Sequence, residues 1–157
     1  MLPPLDGRPI RVVVRASLGP HLAATSIPRR TIFLDREVLR RPGDFERILV
    51  HELFHFVWVR LDNETRRDWE RVLTAEYRRQ TPGELGWSAE WRKDKLRPDD
   101  VRSRTRAWRR YACESFCDSA AWLYCGLARH GEFTLRAPAR RLRRAWMAQI
   151  AARPLAV

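Results

Sequence analysis

The sequence predicts an α+β fold in which a small sheet packs on a mainly helical layer. Residues 10–16 and 31–35 have the β-branched or alternating composition of strands. Every later segment with a regular pattern has the spacing of a helix, and the first of these helices is apolar on nearly every side. Since the chain has 157 residues, one domain that spans residues 1–157 is the simplest organisation.

The first predicted helix follows the two strands and a break formed by proline and glycine. Asp44 is expected to be its N-cap, and the helix is expected to run to about Arg60. A helix that is apolar on nearly every face is normally buried. Its polar exceptions, His51, Glu52 and His55, therefore need partners inside the folded protein.

The second helix is expected over residues 64–79, with Asp62 or Asn63 as its N-cap. Residues 80–98 contain prolines, glycines and two tryptophans, a composition that predicts an irregular connection.

A third long helix is expected from Asp99 or Asp100 to about Cys125, where Gly126 would end it. A last helix is predicted to start near Pro138, because proline suits the first helical turn. This helix has an apolar face, and arginines occupy the rest of its surface.

Charge and cysteine content narrow the class of protein. The formal net charge is +12, which favours contact with nucleic acid or other polyanions at low salt, but no nucleic-acid-binding motif accompanies it. The three cysteines are odd in number and form no CxxC pattern, which suits a reducing cytoplasm better than a disulfide framework or a zinc ribbon. We find no apolar run of membrane-spanning length and no secretory signal, so a cytoplasmic protein is expected.

The motif HELFH at residues 51–55 indicates a metal site. Two histidines four positions apart lie on one face of a helix and can bind the same tetrahedral ion. Glu52 lies about 100° round the helix, near enough to take a proton from a water on that ion. The alternative is that His51 and His55 are core residues that hydrogen-bond to backbone or to acids.

A catalytic zinc site needs three protein ligands and an open position, so another segment must supply the third ligand. Glu114 and Asp118 lie four residues apart in a predicted helix whose other residues are largely apolar, and buried carboxylates are costly unless they are paired or bound to a cation. Glu114 is the candidate ligand, and Asp118 is the candidate acceptor for the outer N–H of His51. Two alternatives stay open: a ligand from His21 or His130, or neutralisation of both acids by arginines of the same helix.

HELFH followed by Glu114-x-x-x-Asp118 resembles the motif of the gluzincin zinc metallopeptidases, and most of all a minimal gluzincin. The resemblance implies a zincin-like fold, zinc as the cofactor and hydrolysis of peptide bonds. It also implies that His51, His55 and Glu114 bind the zinc, that Glu52 is the general base, and that Asp118 supports His51.

A peptidase also needs a donor for the oxyanion that develops on the substrate carbonyl. Tyr111 lies three residues before Glu114 on the same helical face and is the candidate, with His130 and Tyr124 as rivals. The expected substrate is a peptide or protein that lies extended along an edge strand. Residues 31–35 are the candidate for that strand.

Two other classes of function are open. A zinc-stabilised scaffold or a non-peptidase would not need the base of a peptidase, so Glu52→Gln would leave a structural zinc site intact. A basic nucleic-acid-associated protein would account for the charge, and its affinity for DNA would fall steeply as salt is added.

Overall fold

A computed structural model describes residues 1–157 as six helices, a three-stranded sheet and a pair of two-residue strands. The α+β class predicted from the sequence is confirmed. None of the six helices combines the length and the apolar character needed to cross a membrane. The strands are Leu5–Asp6 (β1), Arg11–Arg15 (β2), Ala23–Ser26 (β3), Thr31–Asp35 (β4) and Leu155–Ala156 (β5). The helices are Asp44–Arg60 (α1), Asn63–Arg78 (α2), Trp87–Lys93 (α3), Pro98–Arg102 (α4), Arg106–Tyr124 (α5) and Ala137–Ile150 (α6).

β4 is the central strand of the larger sheet. β2 pairs with it in parallel and β3 pairs with it antiparallel, so Phe33 lies opposite both Val13 and Ala24. The prediction that residues 31–35 form an edge strand is wrong, because both sides of β4 are paired. The edge strand beside α1 is β3. The sequence does not predict this strand, because its residues, AATS, are small and include only one β-branched residue.

The sequence predicts the first residues of α1 and α2 to within one position of where the structure has them. Gly43, at φ +85°, is the N-cap of α1, and Asp44 is the first helical residue rather than the predicted cap. Asp62 caps α2 as expected, because its carboxylate accepts a hydrogen bond of 2.7 Å from the backbone N–H of Thr65. A short 3₁₀ helix at Arg36–Arg40 joins β4 to α1.

Two parts of the helical layer differ from the sequence prediction. Residues 80–98 are not wholly irregular, since they include α3. The predicted third long helix is broken into α4 and α5 at Arg104, which has a φ of +49°. The Thr105 hydroxyl donates to the carboxylate of Asp100 at 2.6 Å, and the guanidinium of Arg104 binds Glu70. These side-chain contacts stabilise a turn that contains no glycine or proline and that the sequence therefore did not indicate.

α1 and α5 pack side by side and form the centre of the core. The ring of Phe116 on α5 has its centroid 5.9 Å from Phe54 and 5.2 Å from Trp58 on α1. Trp69 of α2 and Trp146 of α6 each lie 6.1 Å from the same ring. This aromatic packing sets the separation of the two helices that carry the sequence motifs.

The arginines of α6 do not all face solvent. Arg143 is completely buried, and its guanidinium binds Glu76 at 2.6 Å and Glu84 at 2.7 Å. Burial alone lowers the pKa of Arg143, but the charges of Glu84 and Glu76 raise it well above its usual value. Lys93 lies 3.4 Å from Glu84, and Tyr111 donates its hydroxyl proton to the same carboxylate at 2.5 Å. An ionic cluster therefore lies within the apolar core.

Candidate metal centre

α1 presents the three polar residues of its motif toward α5 and β3. The ring centroids of His51 and His55 are 5.0 Å apart, as their spacing of one helical turn implies. His51 is buried, whereas Glu52 and His55 are partly exposed. The two imidazoles therefore lie together at the edge of the core, and His51 also lines an open cleft.

Asp118 of α5 orients His51. Its Oδ1 atom lies 2.7 Å from Nδ1 of the imidazole, and its Oδ2 atom accepts a hydrogen bond of 3.0 Å from the backbone N–H of Ala89. Asp118 is 1% exposed, and a Cβ on Gly86 would lie only 2.2 Å from its Cγ. Glycine at position 86 therefore lets the start of α3 close over this carboxylate.

Glu114 lies against the other nitrogen of the same ring. Its Oε2 atom is 3.3 Å from Nε2 of His51, and its Oε1 atom is 3.4 Å from the guanidinium of Arg92. Burial alone raises the pKa of Glu114, but the hydrogen bond and charge of His51 lower it to about 2. Neutralisation by an arginine of α5 does not occur here, since the nearby cation comes from α3.

The two carboxylates control the protonation of His51 in the metal-free protein. Burial alone lowers the pKa of this imidazole. The charge and hydrogen bond of Asp118, followed by the hydrogen bond to Glu114, outweigh that effect and raise the pKa well above its usual value.

Two cysteines of α5 face His55. The Sγ atoms of Cys113 and Cys117 each lie 3.5 Å from its Nδ1 atom. Hydrogen bonds from Cys117 and from His55 lower the pKa of the Cys113 thiol to about 6, whereas burial raises the pKa of Cys117. These cysteines were not among the predicted site residues, although their spacing of four places them on one face of the same helix.

The structure gathers His51, His55 and Cys117 into a group that can hold a metal ion. One donor atom from each of these side chains lies within 4.8 Å of the other two. The predicted ligand Glu114 is not in that group, although it contacts His51. α5 therefore offers two candidate third ligands, a carboxylate and a thiol.

Glu52 is held by the edge strand. The hydroxyl of Thr25 on β3 donates to its Oε2 atom at 2.6 Å, and no protein donor contacts Oε1. Thr25 was not predicted from the sequence. Its contact with the motif depends on the pairing of β3 beside α1, which no local pattern reveals.

Glu52 and His51 line a cleft of about 310 Å³ that lies between β3, α1 and α3. The walls also include His21 and Trp87, and the tryptophan is 61% exposed. The cleft gives a molecule from solvent access to the candidate base and to the imidazole beside it.

The other predicted site residues lie elsewhere. The Tyr111 hydroxyl is engaged by Glu84 in the core, and Tyr111 does not line the cleft. This position does not support Tyr111 as the oxyanion donor. His130 binds Asp44 at 3.1 Å, and Tyr124 stacks on Phe54 with ring centroids 5.6 Å apart.

Comparisons with protein-family models, with curated proteins and with solved structures found no match. The functional assignment therefore depends on the residues of the chain itself.

The donor set fits zinc. Imidazole nitrogens with either a thiolate or a carboxylate are ordinary zinc ligands. Asp118 supplies the outer hydrogen bond that metal-binding histidines usually make. With three protein ligands, a bound ion would keep one coordination position open, as a catalytic zinc requires. His51, His55 and one of the two α5 candidates are the residues that would hold the ion.

Proposed function

We propose that this chain is a zinc-dependent metallopeptidase, with Glu52 as the general base. The observation that supports it most is the orientation of His51, whose Nδ1 atom faces Asp118 at 2.7 Å and whose Nε2 atom points toward Glu114. A buried histidine held in this way, one helical turn from a second histidine, has the arrangement of a metal ligand supported by an outer carboxylate.

When bound, zinc would polarise a substrate carbonyl and lower the pKa of a coordinated water to about 7. Glu52 supplies the base for that water. Thr25 donates to Oε2 at 2.6 Å, so we assign proton transfer to Oε1, the oxygen that has no protein donor. The same oxygen then returns the proton to the leaving amine.

A peptide is the substrate that the surroundings of the cleft favour. β3 borders the cleft through Ala23, and its outer edge has no strand partner. An extended peptide can pair with such an edge through its main-chain groups. That alignment would bring a peptide bond past Glu52, which already contacts β3 through Thr25.

Metal content measured by mass spectrometry tests the ligand set. We expect about one zinc per chain in the wild type. Glu114→Gln and Cys117→Ser separate the two candidate third ligands, because the variant that removes the true ligand loses zinc. Cys125→Ser is the matched control, since Cys125 is a buried thiol outside the His51, His55 and Cys117 group. A wild-type protein that binds no added zinc would contradict the proposal.

Hydrolysis of a mixed peptide library tests the reaction. Glu52→Gln should keep its zinc and lose activity by about 10²–10⁴-fold, the usual contribution of a general base. Zinc binding without hydrolysis of any peptide by the wild type would instead favour a zinc-stabilised scaffold.

A further inference from the structure

A second cavity, of about 480 Å³, lies between α2, α4 and the start of α5, and it shares no lining residue with the cleft. Five of its eleven lining residues are arginines. The four other cavities of comparable size have one or two arginines each, so this concentration exceeds what the arginine-rich composition produces elsewhere. We call this cavity the arginine groove, and its arginines are Arg67, Arg71, Arg78, Arg102 and Arg104.

The one acid that lines the arginine groove is already engaged. Glu70 is 6% exposed, and its carboxylate accepts two hydrogen bonds from Arg104, at 2.6 and 2.9 Å. The indole N–H of Trp108 donates to the same carboxylate at 3.1 Å. Glu70 therefore anchors one arginine at the end of the groove and has little capacity to neutralise the others.

Two more arginines of the groove are paired only at the surface. Arg71 and Arg102 each contact an aspartate three residues earlier in the chain. Arg67 and Arg78 make no ion pair and no side-chain hydrogen bond with the rest of the protein. Five arginines thus face three carboxylates, and the groove keeps an excess of positive charge.

The arrangement of these side chains favours an extended anion. Arg67, Arg71 and Arg78 lie on one face of α2, at spacings of four and seven residues, so the first and the last are eleven positions apart. At a rise of 1.5 Å per residue, this row is about 16 Å long. A single phosphate is held by donors that converge on one point, whereas a linear row matches a chain of repeated phosphates. Guanidinium groups bind phosphate oxygens in bidentate pairs, so a row of arginines suits a polyanion that carries phosphates.

We propose that the arginine groove binds the phosphate backbone of nucleic acid. The net charge of +12 would steer such a polyanion to the protein. Two aromatic residues line the groove: Trp108, which is fully buried, and Tyr77, which is partly exposed and whose hydroxyl donates to the carbonyl of Leu96 at 3.3 Å. Arginine contacts to the phosphate backbone carry no information about the base sequence, so binding through these arginines should be independent of sequence. This activity is separate from the proposed peptidase and does not depend on it.

The test is the affinity of the full chain for a short fluorescent DNA duplex, measured by anisotropy at several salt concentrations. The groove variant is Arg67→Ala with Arg78→Ala, because neither side chain has a protein partner that folding requires. The control is Arg29→Ala with Arg141→Ala, which removes the same charge from two exposed arginines outside the groove.

The groove variant should bind more weakly by about 60-fold at 0.1 M salt, since each phosphate contact contributes about eightfold there. The slope of log affinity against log salt should fall in magnitude by about 1.8. A single-stranded oligonucleotide should show the same order of effect, because it carries the same backbone. The control should keep nearly all of the wild-type affinity.

Three results would overturn the proposal. One is no binding by the wild type at low salt. Another is an equal loss in both double variants, which would mean that overall charge alone attracts DNA. The third is that anionic vesicles bind the wild type as tightly as DNA does and lose the same affinity in the groove variant. Zinc content and peptide hydrolysis should be unchanged in both variants, so failure here is distinguishable from failure of the peptidase proposal.

Discussion

Replacing Arg143 with methionine should destabilise the protein severely. The guanidinium is completely buried and makes hydrogen bonds to Glu76 and Glu84, both of which are also buried. Methionine has a similar length and fills most of the space, but it brings no charge. The two carboxylates would be left in the core with Lys93, 3.4 Å from Glu84, as the nearest cation.

The size of the effect follows from that loss of neutralisation. Removing one partner of a buried ion pair costs about 3–5 kcal/mol, because the remaining charge has lost both water and its counter-ion. For a chain of this size, each kcal/mol lowers the melting temperature by about 2–4 °C, so a fall of about 6–20 °C is expected. The measurement is urea unfolding at pH 7, supported by a thermal scan.

The pH dependence gives a second test of the same cause. In the wild type, burial alone raises the pKa of Glu84, but the charge and hydrogen bonds of Arg143 reverse this and hold it below its usual value. This carboxylate therefore contributes stability above its unfolded pKa of about 4.3, and the contribution is lost as the pH falls through the folded value. Without Arg143, burial dominates and raises the pKa. The stability deficit of the variant should then narrow as the pH is lowered from 8 to about 5, because the carboxyl group of Glu84 can bind a proton in the folded state.

Arg141→Met is the matched control, because Arg141 lies on the same helix and is exposed. Its stability should change by less than about 0.5 kcal/mol. A cost below about 1 kcal/mol for Arg143→Met, or a deficit that does not change with pH, would refute the view that Arg143 neutralises these two acids.

Three further predictions concern the candidate centre. Thr25→Val keeps the shape of the side chain but removes its hydrogen bond to Glu52, so kcat for peptide hydrolysis should fall about fivefold, from roughly 1 kcal/mol for one hydrogen bond. Zinc content should not change, and an unchanged kcat would show that Thr25 does not position the base. Asp118→Asn should lower the pKa of His51 in the metal-free protein, because Asp118 is a main cause of its raised value; histidine signals in an NMR titration report this directly, and an unshifted pKa would count against the contact. Zinc must displace the proton of His51, so zinc affinity should fall as the pH drops through that raised pKa. In the metal-free protein, the free energy of unfolding should depend on pH with the opposite sign. Protonated His51 stabilises the fold below about pH 6.5, and this contribution is lost as the pH rises through the folded pKa. Calorimetry in buffers of different ionisation enthalpy should detect the released proton, and its absence would contradict His51 as a ligand.

The sequence by itself determined the features that depend on neighbours within about one or two helical turns. The spacing of His51 and His55 places both imidazoles on one face of α1, as the structure has them. Asp62 caps α2, and Pro138 lies in the first turn of α6. These features follow from backbone geometry and hydrogen bonds within one segment, so they can be predicted without knowing how the segments pack.

Only the tertiary structure decided which distant side chains meet at the candidate centre. Thr25 reaches Glu52 because β3 is the edge strand beside α1, and Cys117 joins the two histidines because of the rotation of α5 about its axis. The same packing turns Tyr111 toward Glu84 and away from the cleft, and it buries Arg143 on a helix whose pattern indicates an exposed basic face. Such contacts join residues 27 to 67 positions apart, and they depend on the separation and rotation of whole elements. Those quantities are set by the packing of the aromatic core, and no short stretch of sequence contains them.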